Sequence, residues 1–404
     1  MNLLAGRHYQ CMALSPISDS IAEDFRCPVI EAIRLRGFHV AADGLEIHLA
    51  REFGFCYGVD RAIHRAYRAR RVHPGKRIFL TAEIIHNPSV NRKLHDMGIG
   101  IMTLASGNSG GQSAIGPDDV VILPAFGAAA SDVQNLRATG CAIVDTTCGS
   151  VMRVWKRVER YAREGFTAVI HGVYSHEETV ATTSCVAAIA GGKYIVVRDK
   201  AEARLVCDYI AGRAGAGTIR DRFKRAVSAG FDAGRDLERI GLANQTTMLS
   251  NESVEIAGML RRAMVFRHGE AAMAERFRSF ETICAATQDR QDAVRALGGL
   301  GMDLIIIVGG FNSSNTTHLV EIASQFAPSY HIGDPSDIIS RGEIRQKHWR
   351  RRQPGIVRAW LPAPPLRVGV SGGASTPNRA VGQAIERVAA LCGVNLRERL
   401  GIGP

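Results

Sequence analysis

The chain has 404 residues, of which 46% are hydrophobic and 22% charged, and its formal net charge is +11. Such a composition is typical of a folded globular protein with two or three lobes, and it excludes a chain that is disordered by composition. The longest apolar runs, such as residues 304–310, fall far short of the roughly 18 to 20 residues of a membrane-spanning helix, so we expect no membrane span.

The nine cysteines are an odd number without a CxxC pair, which fits neither a disulfide scaffold nor a zinc ribbon. A reducing cytoplasm is therefore expected. Residues 1–44 lack the basic-then-apolar order of a secretory signal, and we interpret them as an N-terminal extension of unknown role. The densest basic run, residues 345–358, accompanies no nucleic-acid-binding motif and is interpreted as a solvated loop.

The first predicted strand, residues 45–50, alternates apolar and polar residues and leads to Cys56. After this cysteine, Val59, Ile63 and Tyr67 recur at helical spacing. Cys56 is thus predicted to lie between a strand and a helix. The same pattern surrounds two further cysteines, Cys148 and Cys284.

Each of these three helices is followed by a strand that ends in a polar loop. The three loops carry His86 with Asn87, then His176 with Glu178, then Ser313, Ser314 and Asn315. A second strand and loop follow in each third of the chain. The sequence therefore predicts an α/β fold of three pseudosymmetric lobes, with boundaries at 45–148, 149–283 and 284–404.

Ligands of α/β units collect beyond the carboxyl ends of the strands, next to helix N-termini. Three equivalent lobes would bring the three cysteines to one centre, and the helix N-termini are expected to lower the pKa of their thiols. Three thiolates favour a [4Fe–4S] cluster over zinc and leave one iron free for substrate. A single cysteine of this kind is more often a small buried residue. The equivalence of the three positions favours a shared site.

The polar loops predict a pocket for phosphate or diphosphate. Its candidate donors are His86, His176, Ser313, Asn315 and Ser375. Taken alone, the stretch NSSN is more often a helix cap. Glu178 is the one acidic residue placed in this centre, as a proton donor, although a first-turn glutamate can also simply complement the helix dipole.

Eight motifs occur in an order that resembles the LytB/IspH family, the 4-hydroxy-3-methylbut-2-enyl diphosphate reductases, and is most similar to its plant and cyanobacterial type. These motifs are GFCYGVDRAI, AEIIHNPSVNRKL, DTTC, HEET, ANQTTML, TICAATQDRQDAV, GGFNSSNTTHL and SGGASTPN. The resemblance covers about residues 45 to 390.

The resemblance implies three α/β lobes around a central iron–sulfur cluster and the last step of the non-mevalonate (MEP) isoprenoid pathway. In that step an allylic alcohol diphosphate is reduced to isopentenyl and dimethylallyl diphosphates. One [4Fe–4S] cluster per chain would bind the substrate hydroxyl at its open iron, and a ferredoxin or flavodoxin would deliver two electrons. A monomer or homodimer is expected, with no nucleic acid and no membrane as partner.

The resemblance also implies a role for each matching residue. Cys56, Cys148 and Cys284 would hold the cluster, Glu178 would lead proton delivery, and Thr246 would sit beside the substrate hydroxyl. The residues that would bind the diphosphate are His86, His176, Ser313, Ser314, Asn315 and Ser375.

Two positions depart from the pattern of many bacterial members. Phe126 stands where those members have a diphosphate-binding histidine, so it is not counted as a ligand. Gly149 replaces the usual proline after the second cysteine, which makes the start of that helix less rigid.

Two alternatives stay open at this point. Quinolinate synthase also joins three α/β lobes around a three-cysteine cluster, but a dicarboxylate would need convergent arginines. An iron–sulfur sensor or nucleic-acid binder that uses residues 345–358 would leave Glu178 and the polar loops without a role.

Overall fold

The computed structural model describes residues 16–102, 115–280, 282–351 and 353–403. Its strands, in chain order, are β1 (His39–Ala42), β2 (Leu45–Leu49), β3 (Ile78–Leu80), β4 (Ile99–Ile101), β5 (Val120–Leu123), β6 (Ala142–Asp145), β7 (Thr167–His171), β8 (Tyr194–Val197), β9 (Ile240–Asn244), β10 (Phe277–Ser279), β11 (Leu304–Val308), β12 (Ser329–Ile332), β13 (Glu343–Gln346), β14 (Gly355–Arg358) and β15 (Leu366–Gly372). Its α-helices are α1 (Pro16–Phe25), α2 (Pro28–Leu35), α3 (Tyr57–Val72), α4 (Pro88–Asp96), α5 (Ala130–Ala138), α6 (Gly149–Arg163), α7 (Glu177–Ala187), α8 (Lys200–Ile210), α9 (Ala216–Phe223), α10 (Ala233–Asp236), α11 (Ser250–His268), α12 (Met273–Arg276), α13 (Ala285–Gly298), α14 (Ser314–Ala323), α15 (Asn378–Leu391) and α16 (Leu396–Leu400).

The strands form three sheets and one hairpin. The first sheet has the order β4-β3-β5-β6 and the second the order β8-β7-β9-β10, and both are parallel throughout. The third has the order β12-β11-β15-β2-β1 and is parallel except for the β1–β2 pair at its edge. The α/β architecture predicted from the sequence is confirmed.

The three sheets share one strand order, and the third sheet completes it with a strand from the start of the chain. We number the four strands of each lobe in the order in which they occur along the chain. Across each of the first two sheets, strand two is at one edge, followed by strands one, three and four. In the third sheet the fourth place belongs to β2, whose residues Leu45–Leu49 pair with Leu366–Val370. The sequence analysis assigned these residues to the first lobe, whereas the structure places them in the sheet of the third lobe. The division of the chain at 45, 149 and 284 as a whole stays a prediction.

The fourth strand of each sheet leads directly to one of the three cysteines. Strand β2 precedes Cys56, β6 precedes Cys148 and β10 precedes Cys284. The helix that begins after each cysteine packs into the next core: α3 with the first sheet, α6 with the second and α13 with the third. Each cysteine therefore lies where the chain crosses from one lobe to the next.

The central strands are covered on both faces, which explains their unbroken apolar runs. In β11, Leu304, Ile306 and Val308 pack with α15, whereas Ile305 and Ile307 pack with α13 and α14. Burial of each such side chain contributes about 1.5–3 kcal/mol. These buried strands hold the loops at their ends in fixed positions.

Residues 16–36 of the predicted N-terminal extension form two helices that pack on the lobes. Asp24 accepts a hydrogen bond from the Tyr67 hydroxyl at 2.6 Å and pairs with Lys93 at 2.7 Å. On α2, Val29 and Ile30 are fully buried. Residues 1–15 lie outside the described part. Within the residues that the structure describes, none of the helices combines the length and the apolar character needed to cross a bilayer.

Candidate functional site

One polar loop of each lobe begins a helix with an N-cap side chain. Asn87 accepts from the backbone N–H of Ser89 and Val90, His176 from that of Glu178, and Ser313 from that of Thr316. These bonds satisfy N–H groups that the first helical turn leaves unpaired. The predicted loops therefore stand at helix N-termini, where the dipole favours anions.

The three predicted cysteines occupy the same local position. Cys56, Cys148 and Cys284 are the N-cap residues of α3, α6 and α13, and each has an extended backbone. None of the three side chains forms an N-cap hydrogen bond of regular geometry, although the Cys284 sulfur lies 3.0 Å from the Thr287 hydroxyl of the same helix. All three thiols are partly buried, and none is in a disulfide.

Gly58 shows how closely two of the thiols approach. A Cβ at Gly58 would lie 2.5 Å from the sulfur of Cys148 and 3.9 Å from that of Cys56. The thiol of Cys284 lies close enough to Cys56 and Glu178 that their negative charges, when they are ionised, raise its pKa. The fold thus brings together sulfurs that are separated by 92 and 136 residues in the chain.

The expected lowering of the thiol pKa values is wrong for two of the cysteines. Burial raises the pKa of Cys56 and of Cys284, and a neighbouring cysteine adds to this effect in both cases. Backbone N–H groups of α3 and the Thr287 side chain oppose the rise without overcoming it. As free thiols these groups are protonated at neutral pH, and binding of a metal would release their protons.

The spacing of the sulfurs separates a cluster from a single metal ion. Four ligands at about 2.3 Å around one zinc ion place their sulfurs about 3.8 Å apart. Among the described residues, which include all three cysteines, two groups have ligand atoms within 4.8 Å of one another: His39 with Glu46 and His48, and His86 with His176 and Glu177. The three thiols form no such group, so they fit a larger polynuclear centre better than zinc.

The other described cysteines lie elsewhere. Cys27, Cys141 and Cys207 are buried in separate hydrophobic cores, as expected for small apolar residues. Cys185 and Cys392 are partly buried at the margins of these cores. Cys11 lies outside the described residues.

Glu178 is buried in direct contact with Thr246. Its carboxylate accepts from the Thr246 backbone N–H at 2.6 Å and from the Thr246 hydroxyl at 2.9 Å. Burial raises the pKa of Glu178 to about 7, although these two bonds oppose the rise. The Thr246 carbonyl accepts from the N–H of Cys284 at 3.4 Å, which links this carboxyl to the third cysteine.

His86, Phe126 and His176 form an aromatic group at the same centre. Phe126 stacks on His86 with ring centroids 4.2 Å apart, and His176 meets His86 edge-on at 5.2 Å. Burial and the charge of His86 lower the pKa of His176 to about 3, so His176 is neutral. Phe126 therefore holds the ring of His86, a contact that the sequence did not predict.

The hydrogen bond of His176 fixes which nitrogen carries the proton of its neutral ring, and His86 has a comparable contact at its own Nδ1. His176 Nδ1 accepts from the Glu178 N–H at 3.2 Å. His86 Nδ1 lies 3.2 Å from the Asn312 amide nitrogen, which also donates to Glu83. The proton of the neutral His176 ring is therefore on Nε2. Among the described residues the buried His86 Nε2 has no hydrogen-bond partner, so it is open to a ligand.

A second unused donor belongs to Asn315. Its side-chain oxygen accepts from the Ala374 N–H at 2.9 Å, while its buried amide nitrogen has no partner in the described part of the chain. Nearby, Ser375 donates to the His86 carbonyl at 3.3 Å, and Ser314 accepts from Gln245 at 3.4 Å. The loops of all three lobes thus meet at this point.

Several contributing residues were not found by sequence reasoning. Asn312 and Glu83 orient His86, and Gln245 connects the second and third lobes. Glu83 and Glu177 each place a carboxylate oxygen 3.5 Å from a His86 nitrogen, so the expectation of Glu178 as the one acidic residue was too narrow. Gln245 and Asn312 lie in the quoted motifs ANQTTML and GGFNSSNTTHL, which was the available signal.

Comparisons with known proteins show which family this chain is similar to. The family model described as LytB protein matches residues 47–389. The 4-hydroxy-3-methylbut-2-enyl diphosphate reductase of Thermosynechococcus vestitus is 43% identical over 376 residues, which are 93% of this chain and 92% of that protein. The reductase of a Synechococcus species is 44% identical and covers 93% of each chain.

Solved structures are similar as well. The structure of (E)-4-hydroxy-3-methyl-but-2-enyl diphosphate reductase, the terminal enzyme of the non-mevalonate pathway, has 27% identity and a TM-score of 0.51, and covers 85% of this chain and 99% of that one. A Plasmodium falciparum reductase structure shares the fold at 18% identity, with a TM-score of 0.62 and coverage of 86% and 90%.

Proposed function

The chain belongs to the LytB family, and we propose that it reduces (E)-4-hydroxy-3-methylbut-2-enyl diphosphate to isopentenyl diphosphate and dimethylallyl diphosphate. This is the last step of the non-mevalonate isoprenoid pathway. In each turnover the allylic C–O bond breaks, two electrons and two protons are taken up, and the oxygen leaves as water. The observation that carries the proposal is the convergence of three thiols from three lobes with the buried Glu178–Thr246 pair.

We infer that Cys56, Cys148 and Cys284 hold a [4Fe–4S] cluster, which when bound would pass on the two electrons of the donor and offer an iron without a protein ligand. Three free, partly buried thiols that are too widely spaced for one ion support this cofactor. None of the eight described cysteines is in a disulfide, which fits a reducing compartment such as the cytoplasm.

The diphosphate would bind to buried polar groups and helix N-termini. Nε2 of His86 and the amide nitrogen of Asn315 support such a ligand because neither has a partner in the described chain, and Nε2–H of His176 lies beside them. Ser313, Ser314 and Ser375 add hydroxyl groups around it. Desolvated neutral donors such as His176 and Asn315 bind an anion without adding a positive charge.

Glu178 and Thr246 would deliver the proton. When Glu178 is protonated, its Oε2–H can donate to the Thr246 hydroxyl 2.9 Å away, and the hydrogen of that hydroxyl then turns toward the substrate oxygen. A pKa near 7 lets the pair both release and regain a proton at neutral pH. The leaving oxygen would thus receive its proton through Thr246.

The competing condensing-enzyme interpretation finds little support in the side chains. A dicarboxylate substrate would need convergent arginines, as stated above. In the described part of the chain Arg290 is the one buried arginine, and its two bonded nitrogens are used on backbone carbonyls.

The function is tested on anaerobically purified protein with substrate and a reduced dye. We expect product, and a chain that holds iron and sulfide yet forms no product would refute the reductase proposal. Glu178→Gln should retain iron and bind substrate but lose product formation about 100-fold or more. Glu255→Gln, the same change at an exposed carboxylate paired with Lys200, is the matched control. If Glu178→Gln loses its iron while Glu255→Gln keeps it, Glu178 has a role other than proton delivery.

We further propose that an acidic electron donor, such as a ferredoxin or flavodoxin, docks where the cysteine helices reach the surface. The residue after each cysteine is exposed, namely Tyr57, Gly149 and Ala285, with Tyr57 at 67%. Arg61 and the exposed Arg153 stand on the same helices, α3 and α6. An aromatic residue among arginines is typical of protein interfaces, and cations steer an acidic partner.

The basic run of residues 345–358 is the competing docking surface. It forms the β13–β14 hairpin, where Arg345 pairs with Asp337 and Arg358 pairs with Glu343. Two of its six Lys and Arg side chains are therefore paired within the chain, and Arg352 lies outside the described residues.

Charge reversal separates these two docking surfaces. Arg153→Glu should slow reduction by an acidic ferredoxin several-fold at low salt and leave the rate with a small dye unchanged. Arg350→Glu on the hairpin is the matched control. If only Arg350→Glu slows the protein donor, the docking surface has been assigned to the wrong face.

A further inference from the structure

Arg290 is a buried cation without a carboxylate partner among the described residues. Its side chain is 4% exposed, one terminal nitrogen donates to the Ala286 carbonyl at 2.8 Å, and the other donates to the Gly54 carbonyl at 2.7 Å. Its Nε has no partner in the described part of the chain. Charge removal from water costs several kcal/mol, so a buried guanidinium calls for a negative group nearby.

The position of Arg290 identifies that negative group. Arg290 lies on α13, six residues beyond Cys284, and it bonds to the loop that leads into Cys56. The guanidinium thus lies between the chain segments that carry Cys56 and Cys284. Thiolates formed at these cysteines are the anionic groups next to those segments.

The backbone at Gly54, which accepts from Arg290, is itself closely packed. Gly54 has a φ of +86°, and a Cβ there would lie 2.5 Å from the side-chain oxygen of Asn378. Two residues later, the Cys56 N–H donates to the Ala374 carbonyl at 3.1 Å. The loop before Cys56 is therefore held between α13 and α15. If the guanidinium moved away from this loop, its hydrogen bond to the Gly54 carbonyl would be lost.

We propose that Arg290 is the buried counter-charge of the cluster held by the three cysteines, and that it raises the reduction potential of that cluster. The inference rests on the proposed function. Each electron taken up adds one negative charge to a site that already holds three thiolates. A fixed cation stabilises the more negative, reduced state most. Arg290 is thus a positioning residue that makes the cluster easier to reduce, and it does not touch the substrate.

The test is a redox titration of anaerobically purified, cluster-bearing protein followed by electron paramagnetic resonance. Arg290→Gln keeps a hydrogen-bond donor but removes the charge, and it should shift the equilibrium toward the oxidised cluster about tenfold, which is 59 mV for a one-electron couple. Arg290→Lys keeps the charge and should stay close to the wild-type potential. Arg295→Gln makes the same change on the same helix at a partly exposed arginine paired with Asp292, and it should leave the potential unchanged.

The outcomes separate this proposal from the proposed function. A wild-type chain without a cluster would refute the cofactor assignment itself. A wild-type cluster whose potential is the same in Arg290→Gln and Arg295→Gln would overturn the role of Arg290. If Arg290→Gln binds no cluster, the Arg290→Lys variant provides the test. A cluster with a near-wild-type reduction potential in Arg290→Lys would support the role of the positive charge. Loss of the cluster in Arg290→Lys as well would show that Arg290 acts only by holding the chain in place, and the proposal would be wrong.

Discussion

Substitution of Gly58 by alanine tests the shared thiol site with a single methyl group. Gly58 is the second residue of α3, and its Cβ would lie 2.5 Å from the sulfur of Cys148 and 3.3 Å from its Cβ. Ordinary contacts of this kind are about 3.5–4.0 Å, so the sulfur must move by about 1 Å or more. Metal ligation tolerates displacements of about 0.2 Å. Gly58→Ala should therefore lose most of its bound iron.

The fold itself should survive this change. Overpacking lowers the free energy of unfolding by about 1–3 kcal/mol, whereas replacement of a helical glycine by alanine raises it by about 0.5–1 kcal/mol. The matched control is Gly149→Ala at the first residue of α6, because a Cβ there meets no atom within 4 Å. It adds the same methyl group next to Cys148 from a side that is open.

The assay measures iron and sulfide per chain after anaerobic reconstitution, with circular dichroism and thermal unfolding as checks on the fold. We expect near-wild-type iron in Gly149→Ala and a large loss in Gly58→Ala, with similar helix content in both. Equal iron in the two variants would refute the reasoning, since Cys148 would then be no ligand or the site would be far more compliant than its contacts imply.

Three further predictions follow from the same centre. Because Glu178 has a pKa of about 7 and acts in its protonated form, kcat/KM should fall as the pH rises through about 7, and this limb should be absent from the residual activity of Glu178→Gln; an unchanged limb would contradict the assignment. His176, with a pKa of about 3, is neutral, so KM should not change between about pH 7 and 9 through this ring; a rise of KM with histidine deprotonation in that range would show a cationic His176. Phe126→Ala removes the ring stacked on His86, a contact worth about 0.5–1.5 kcal/mol. This variant should raise KM about 2- to 10-fold at similar iron content. An unchanged KM would mean that Phe126 does not hold that histidine.

Local patterns in the sequence predicted the positions of the key side chains along the chain. Strand alternation followed by helical spacing placed Cys56 at a strand-to-helix junction, and the structure has it as the N-cap residue of α3. The same holds for Cys148 and Cys284, and for Ser313 as the N-cap residue of α14. These features depend on residues within a few turns of each other, so periodicity and capping chemistry are enough to find them.

The partners of those side chains were decided by the tertiary structure. Strand β2 completes the sheet of the last lobe by pairing with β15, more than 300 residues away along the chain. Burial reversed the expected pKa shifts of Cys56 and Cys284.

Contacts between the lobes were also decided by the tertiary structure. Arg290 reaches Gly54 across 236 residues, and Phe126 stacks on His86. Such contacts depend on how the lobes pack, and packing follows from the shape and burial of whole sheets, which no local pattern encodes. The sequence determined which thiols and polar groups the chain presents, and the packed lobes decided which of them meet, at what distance and with what charge.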